Sequence, residues 1–119
     1  MGTRPVTMRP GESAERLAED YLRAKGLKLR ERNYRSPFGE IDLIMQDGEM
    51  LIFIEVRQRR NPHFGTGADS IDQRKQMRLQ RTAEHYLQRQ RRVPACRFDV
   101  VSLNATGDIH WIPGAFDAV

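Results

Sequence analysis

Gly39-Glu40-Ile41-Asp42-Leu43-Ile44-Met45-Gln46-Asp47-Gly48-Glu49-Met50-Leu51-Ile52-Phe53-Ile54-Glu55-Val56-Arg57 is the stretch that decides the fold. Two segments rich in branched and aromatic residues flank Asp47-Gly48, a dipeptide suited to a two-residue hairpin loop. With Asp47 and Gly48 as that loop, Met45 faces Met50, Leu43 faces Ile52, Asp42 faces Phe53 and Glu40 faces Glu55. Ile41, Leu43, Met45, Ile52, Ile54 and Val56 then share one wholly apolar face, which is the core face. The other face carries Ile44, Leu51 and Phe53 near the turn, and Glu40, Asp42, Glu55 and Arg57 at the far end. Glu40 lies directly opposite Glu55 and Asp42 diagonally from it. Like charges at such spacing, roughly 5 to 7 Å between Cβ atoms, repel unless something positive sits between them. Arg57 would neutralise one; a hard divalent cation, Mg²⁺ or Mn²⁺, would neutralise two or more.

Working outward, Ala14, Leu17, Ala18, Tyr21 and Leu22 recur at helical spacing and predict a helix near 12–25, stopped by Gly26. This helix is the natural cover for the half-apolar face, and Glu15, at the border of its stripe, would reach the acids. Leu27, Leu29 and Tyr34 mark an intervening strand. After a polar loop from Arg59 to Asp69, a second helix is expected over about 70–91, with Ile71, Leu79, Ala83, Tyr86 and Leu87 on one face. Lys75 falls between Ile71 and Leu79 in the i, i+4 series and points toward the sheet, with Gln76 on the other edge of the stripe. Phe98 to Leu103 and Ile109 to Ile112 close the chain as two strands. The order αβββαββ describes an α/β domain whose mixed sheet carries helices on its faces. Residues 1–10, with Pro5 and Pro10 and no periodicity, read as a flexible lead to a single domain over 11–119.

Composition narrows the function classes. The chain has 119 residues, 39% of them hydrophobic, and a net charge of +4 that is unevenly spread. Residues 57 to 92 carry +7 and the remainder −3. Arg59, Arg60, Arg74, Arg78 and Arg81 belong to this basic stretch and would bind a nucleic-acid backbone. No apolar run approaches the ~20 residues of a membrane span or the ~7 to 15 of a signal peptide core. Membrane attachment is therefore not expected, and the single cysteine, Cys96, fits a reducing cytoplasm and excludes a disulfide framework. His63, His85 and His110 are scattered without ligand spacing and read as surface or packing residues.

Asn33-Tyr34-Arg35, Gly39-Glu40-Ile41-Asp42-Leu43-Ile44, Ile54-Glu55-Val56-Arg57 and Phe98-Asp99-Val100 together resemble the YraN family of small bacterial proteins. That family is similar to archaeal Holliday junction resolvases and the wider PD-(D/E)xK nucleases. The resemblance runs from Gly11 to about Phe116 and implies a restriction-endonuclease-like fold. It also implies that Asp42, Glu55 and the helix acid Glu15 hold the metal, with Glu40 as an auxiliary acid. One position departs from the pattern: Arg57 stands where those nucleases have lysine. Lysine can shift its pKa and assist a water nucleophile, whereas arginine stays protonated and only donates. Lys75 is the other source of an ammonium group.

Two functions are thus open. The first is a Mg²⁺- or Mn²⁺-dependent nuclease on DNA, branched forms included, with Asp42, Glu55, Glu15, Glu40, Arg57 and Lys75 as its site. The second is a catalytically inactive nucleic-acid-binding or partner-docking module on the same fold.

Overall fold

The computed structural model describes residues 12–59 and 71–117. The elements are α1 (Glu12–Ala24), β1 (Lys28–Ser36), β2 (Gly39–Asp47), β3 (Met50–Gln58), α2 (Gln73–Leu87), β4 (Cys96–Leu103) and β5 (Ile109–Phe116). This is the α/β order expected. The flexible lead expected over 1–10, Arg60 and nearly all of the 59–69 loop lie outside the described residues. No helix of the described residues is long and apolar enough to cross a membrane.

The five strands lie side by side in chain order. All neighbours are antiparallel except β3 and β4, which are parallel and therefore require the long crossover that contains α2. Asp47 pairs with Met50 and Leu43 with Ile54, so the hairpin loop is Gly48-Glu49 rather than Asp47-Gly48. Gly48 supplies the positive φ, +60°, at the first loop position. The true register is shifted by two residues from the expected one. A two-residue shift by itself changes no side chain's face, because strand side chains alternate with period two, but Ile41, expected beside Leu43 and Met45, packs on the other face with Tyr34, Ile44 and Phe53.

Both faces of the hairpin are core. Leu43, Met45, Ile52 and Ile54 pack with Val101 and Leu103 under α1, which contributes Ala14, Ala18 and Leu22. Ile44, Leu51 and Phe53 pack with Phe98 and Val100 under α2, which contributes Leu79, Ala83 and Tyr86. The expected cover is thereby corrected: α2 and not α1 lies on the half-apolar face. Small Ala14 and Ala18 bring α1 close to the sheet, while Leu17, expected in its stripe, is exposed. Beneath α2 an aromatic row runs from β1 to β5, Tyr34 against Tyr86, Tyr86 against Phe53, Phe53 against Phe98 and Phe98 stacked on Phe116, with centroid spacings of 4.8 to 6.2 Å. Ring pairs of this kind add to the burial of their area.

Helix α2 is shorter than expected. Asp72 caps it, its side chain accepting the Lys75 N–H at 2.8 Å, and it ends at Leu87 instead of continuing to residue 91. Strands β4 and β5 are longer than expected. A fully buried carboxylate holds them: Asp99 accepts from Arg97 Nε and Nη2, Trp111 Nε1 and the Gly114 N–H, all at 2.8 to 2.9 Å. Gly114, at φ +62°, and the register shift between Phe98 and Val100 mark the irregularity that this carboxylate stabilises.

Candidate functional site

The acidic site arises where two strands part. The β2–β3 ladder is regular from the turn to Leu43 and Ile54. Beyond that, β2 stays with β1 as far as Gly39, and β3 stays with β4 as far as Gln58. The backbone groups released by this divergence need partners, and the Val56 N–H finds one in Asp42 Oδ2 at 2.8 Å. Asp42 thus points into the gap between strands instead of standing on one face. The gap is a cavity of about 300 Å³ walled by Ala14, Glu15, Glu40, Asp42, Glu55, Val56, Gln58 and Lys75. Helix α1 supplies Ala14 and Glu15 from one layer, and α2 supplies Lys75 from the other.

Each acid has a distinct setting. Continuing the observed register brings Asp42, not Glu40, opposite Glu55. Glu55 is buried and ion-paired to Lys75 Nζ. Glu15 accepts a hydrogen bond from Asn33 Nδ2 at 2.8 Å and interacts with Asp42. Glu40, at the rim, lies 3.8 Å from Arg35 Nε, an arginine almost fully in solvent. Asp42 bears the cost of this crowding: its carboxyl is pushed up to about 8, first by burial, then by the charge of Glu55, with Glu15 adding to the effect and the Val56 N–H opposing it.

The remaining expected residues are placed as follows. Arg57 is partly buried on β3 and is not part of the cavity wall; the cation in the wall is Lys75. Gln76 is turned to its own helix start, where Nε2 donates to the Ile71 carbonyl at 2.7 Å. Arg59 is partly buried at the end of β3, its N–H bonded to the Leu103 carbonyl. Arg74, Arg78 and Arg81 are exposed on α2 and line one neighbouring hollow.

Asn33 was not among the expected site residues, and His85 has a packing role, as expected. Asn33 has φ +51°, the described non-glycine residue with a positive φ, and this lets its side chain hold Glu15. Its residue type was the available signal, since asparagine tolerates the left-handed region better than most. His85 Nδ1 meets the Tyr34 hydroxyl at 2.6 Å and joins α2 to β1.

Whether the wall suits a divalent cation can be judged from its donors. Four carboxylates against one ammonium is an oxygen-rich set with negative charge in excess, which is the chemistry Mg²⁺ or Mn²⁺ requires. The set is not already assembled around an ion: among the described residues no three His, Cys, Asp or Glu side chains are arranged to hold a metal. Lys75 occupies one Glu55 oxygen and the Val56 N–H one Asp42 oxygen. A cation would enter by displacing Lys75 and the proton that Asp42 retains.

The chain is similar to several proteins of known sequence. A UPF0102 protein from Nitrosospira multiformis is 53% identical over 109 residues, covering 90% of this chain and 92% of that protein. One from Nitrosococcus oceani is 50% identical over 119 residues, 95% of this chain and 96% of its own length. One from Nitrosomonas eutropha is 48% identical over 111 residues, 93% and 96% respectively. Residues 14–103, which hold the whole acidic cavity, match the model of the Uncharacterised protein family UPF0102, and the chain belongs to that family, also known as YraN.

Proposed function

We propose that the cavity is the active site of a metal-dependent phosphodiesterase acting on DNA. The observation that supports this reading most is Asp42: a sheet carboxyl raised to about 8 by burial and by a second acid costs the fold stability despite its bond to the Val56 N–H, and perturbed acids gathered in a cavity are a common feature of catalytic sites. Asp42, Glu55 and Glu15 would hold Mg²⁺ or Mn²⁺, which when bound supplies Lewis-acid stabilisation of charge on a phosphate and lowers the pKa of a water ligand. Lys75, released from Glu55, would turn its ammonium to a phosphate oxygen. Arg74, Arg78 and Arg81 would hold the backbone of the strand. Asn33 fixes Glu15 at the mouth.

The second reading, a module that binds DNA without cutting it, draws support from the Lys75–Glu55 pair and from Arg57 in place of the motif lysine. A panel of single-stranded, duplex, flap and four-way-junction DNA with Mg²⁺ or Mn²⁺ separates the two. Cleavage by the wild type is expected, with loss in Asp42→Asn and in Glu55→Gln, and Mn²⁺ should raise the melting temperature of the wild type but not of the double variant. Binding without cleavage of any form, in both wild type and Arg57→Lys, would establish the binding module and refute the phosphodiesterase.

A further inference from the structure

Phe38 and Met77 are two of the four large hydrophobic side chains left exposed among the described residues, at 44% and 51%. They come together in one hollow of about 190 Å³, and the rest of its wall is Arg74, Arg78 and Arg81. The three arginines follow one another at i, i+4 and i+7, so they share a face of α2, with Met77 beside Arg78. No acid lines the hollow among the described residues.

The position of Phe38 is held by a chain of hydrogen bonds. The Phe38 N–H donates to Ser36 Oγ at 3.0 Å, Ser36 Oγ to Thr82 Oγ1 at 3.1 Å, and Thr82 Oγ1 to the Arg78 carbonyl at 2.8 Å. Thr82 is fully buried, so the end of this link that lies on α2 is shielded from water. Gly39 adjoins this link, where a Cβ would stand in ordinary van der Waals contact with Thr82 Oγ1 at 3.5 Å and Arg78 Cβ at 3.7 Å. The aromatic ring is therefore presented to solvent from a fixed turn, two residues before Glu40 and alongside the helix that carries Lys75.

We infer that this hollow takes an unpaired nucleobase, stacked on Phe38 with Met77 as the floor, while the three arginines hold the flanking phosphates. The inference deepens the reading of the acidic cavity, and for the fate of the strand it rests on that reading. A ring beside a run of cations is the pairing that single strands require, since bases stack on aromatic faces and phosphates need neutralising. A paired base within a duplex has no free face to offer. A second copy of this chain fits poorly, because a two-fold contact through the hollow would set three arginines against three. The substrate class is thus DNA with unpaired nucleotides, as at a flap, a junction or an end.

The test is a titration in EDTA with a short single strand carrying 2-aminopurine and with the duplex made from that strand. Wild type should quench the free-strand fluorescence, and Phe38→Ala should weaken single-strand binding by about 5-fold or more while leaving duplex binding unchanged. Phe38→Trp should restore the difference, and Met77→Ala should reproduce it in part with the turn untouched. Equal weakening of both forms, or no change in either, would overturn the inference. So would a Phe38-dependent change of mass in light scattering, which would mark a contact between copies. If the DNA panel is not cleaved but the Phe38 signature holds, the phosphodiesterase falls and this surface stands. If DNA is cleaved with no Phe38 signature, the surface falls and the phosphodiesterase stands.

Discussion

Asp42 and Asp99 sit on the same sheet, two strands apart, and the chain treats them in opposite ways. Asp99 is fully buried and receives four donors, two from one guanidinium, one from an indole and one from a backbone amide. Asp42 receives one backbone N–H and looks into a cavity shared with three more acids. A buried charge whose lone pairs are all engaged is a joint in the fold. A half-buried acid left short of donors and crowded by its own kind weakens the fold, and something outside the fold has to account for it.

The largest effect should come from disturbing the joint. Asp99→Ala would leave Arg97, Trp111 Nε1 and the Gly114 N–H without their acceptor, and should cost about 3 to 5 kcal/mol of unfolding free energy in a urea melt. A loss below about 1 kcal/mol would show that the four bonds do not set β5, and the contrast with Asp42 would collapse.

Removing the charge at Asp42 should do the reverse, with a dependence on pH that gives it away. Its carboxyl sits at about 8 in the folded chain against an ordinary 3.8. Between those values the native state keeps a proton that the unfolded chain has released, so this contribution to stability is complete below about pH 4 and is lost as pH rises through 8. Asp42→Asn is neutral at every pH and retains an oxygen for the Val56 N–H. It should equal wild type near pH 4 and exceed it by about 1 to 3 kcal/mol near pH 8.5. A variant less stable than wild type at the higher pH would make Asp42 a structural acid after all.

Glu19 sharpens the comparison from a third direction, with the smallest effect. It is buried on α1, and Arg32 and then Arg23 hold its carboxyl below the usual range, against the pull of burial. Its contribution is present above the unfolded value near 4.5 and is lost as pH falls through the folded one, the opposite slope to Asp42. Because both arginines are half in solvent, Glu19→Gln should cost only about 1 to 2 kcal/mol at neutral pH and nothing in strong acid. Chemical denaturation of both variants from pH 3 to 9 gives the two slopes directly.

The element order was legible because each element carries a period that only one conformation satisfies: three to four residues in α1 and α2, two in the strands. The hairpin register was not, and the reason is the same period. Moving the loop from Asp47-Gly48 to Gly48-Glu49 changes no residue's face, so no apolar pattern can detect the difference. Yet it decides which acid stands against Glu55. The direction of Lys75 followed from its place between Ile71 and Leu79. The opening of the ladder beyond Leu43 and Ile54 did not, since it depends on β1 and β4 holding β2 and β3 more firmly than these hold each other. The pairing of Asn33 with Glu15 and the bonds from Trp111 and Gly114 to Asp99 join residues far apart in the chain, where spacing carries no information.

The parting of β2 from β3 also joins two halves that the sheet otherwise insulates. The apolar cluster beneath α1 and the one beneath α2 lie on opposite sides, and a perturbation in one has little direct route to the other. At the gap, Glu15 of the first layer and Lys75 of the second face the same space. An occupant that engages both would act as a rivet through the sheet. Amide hydrogen exchange would then slow in both helices at once, and the two layers would open together, so that binding at one small cavity would set the cooperativity of the whole domain.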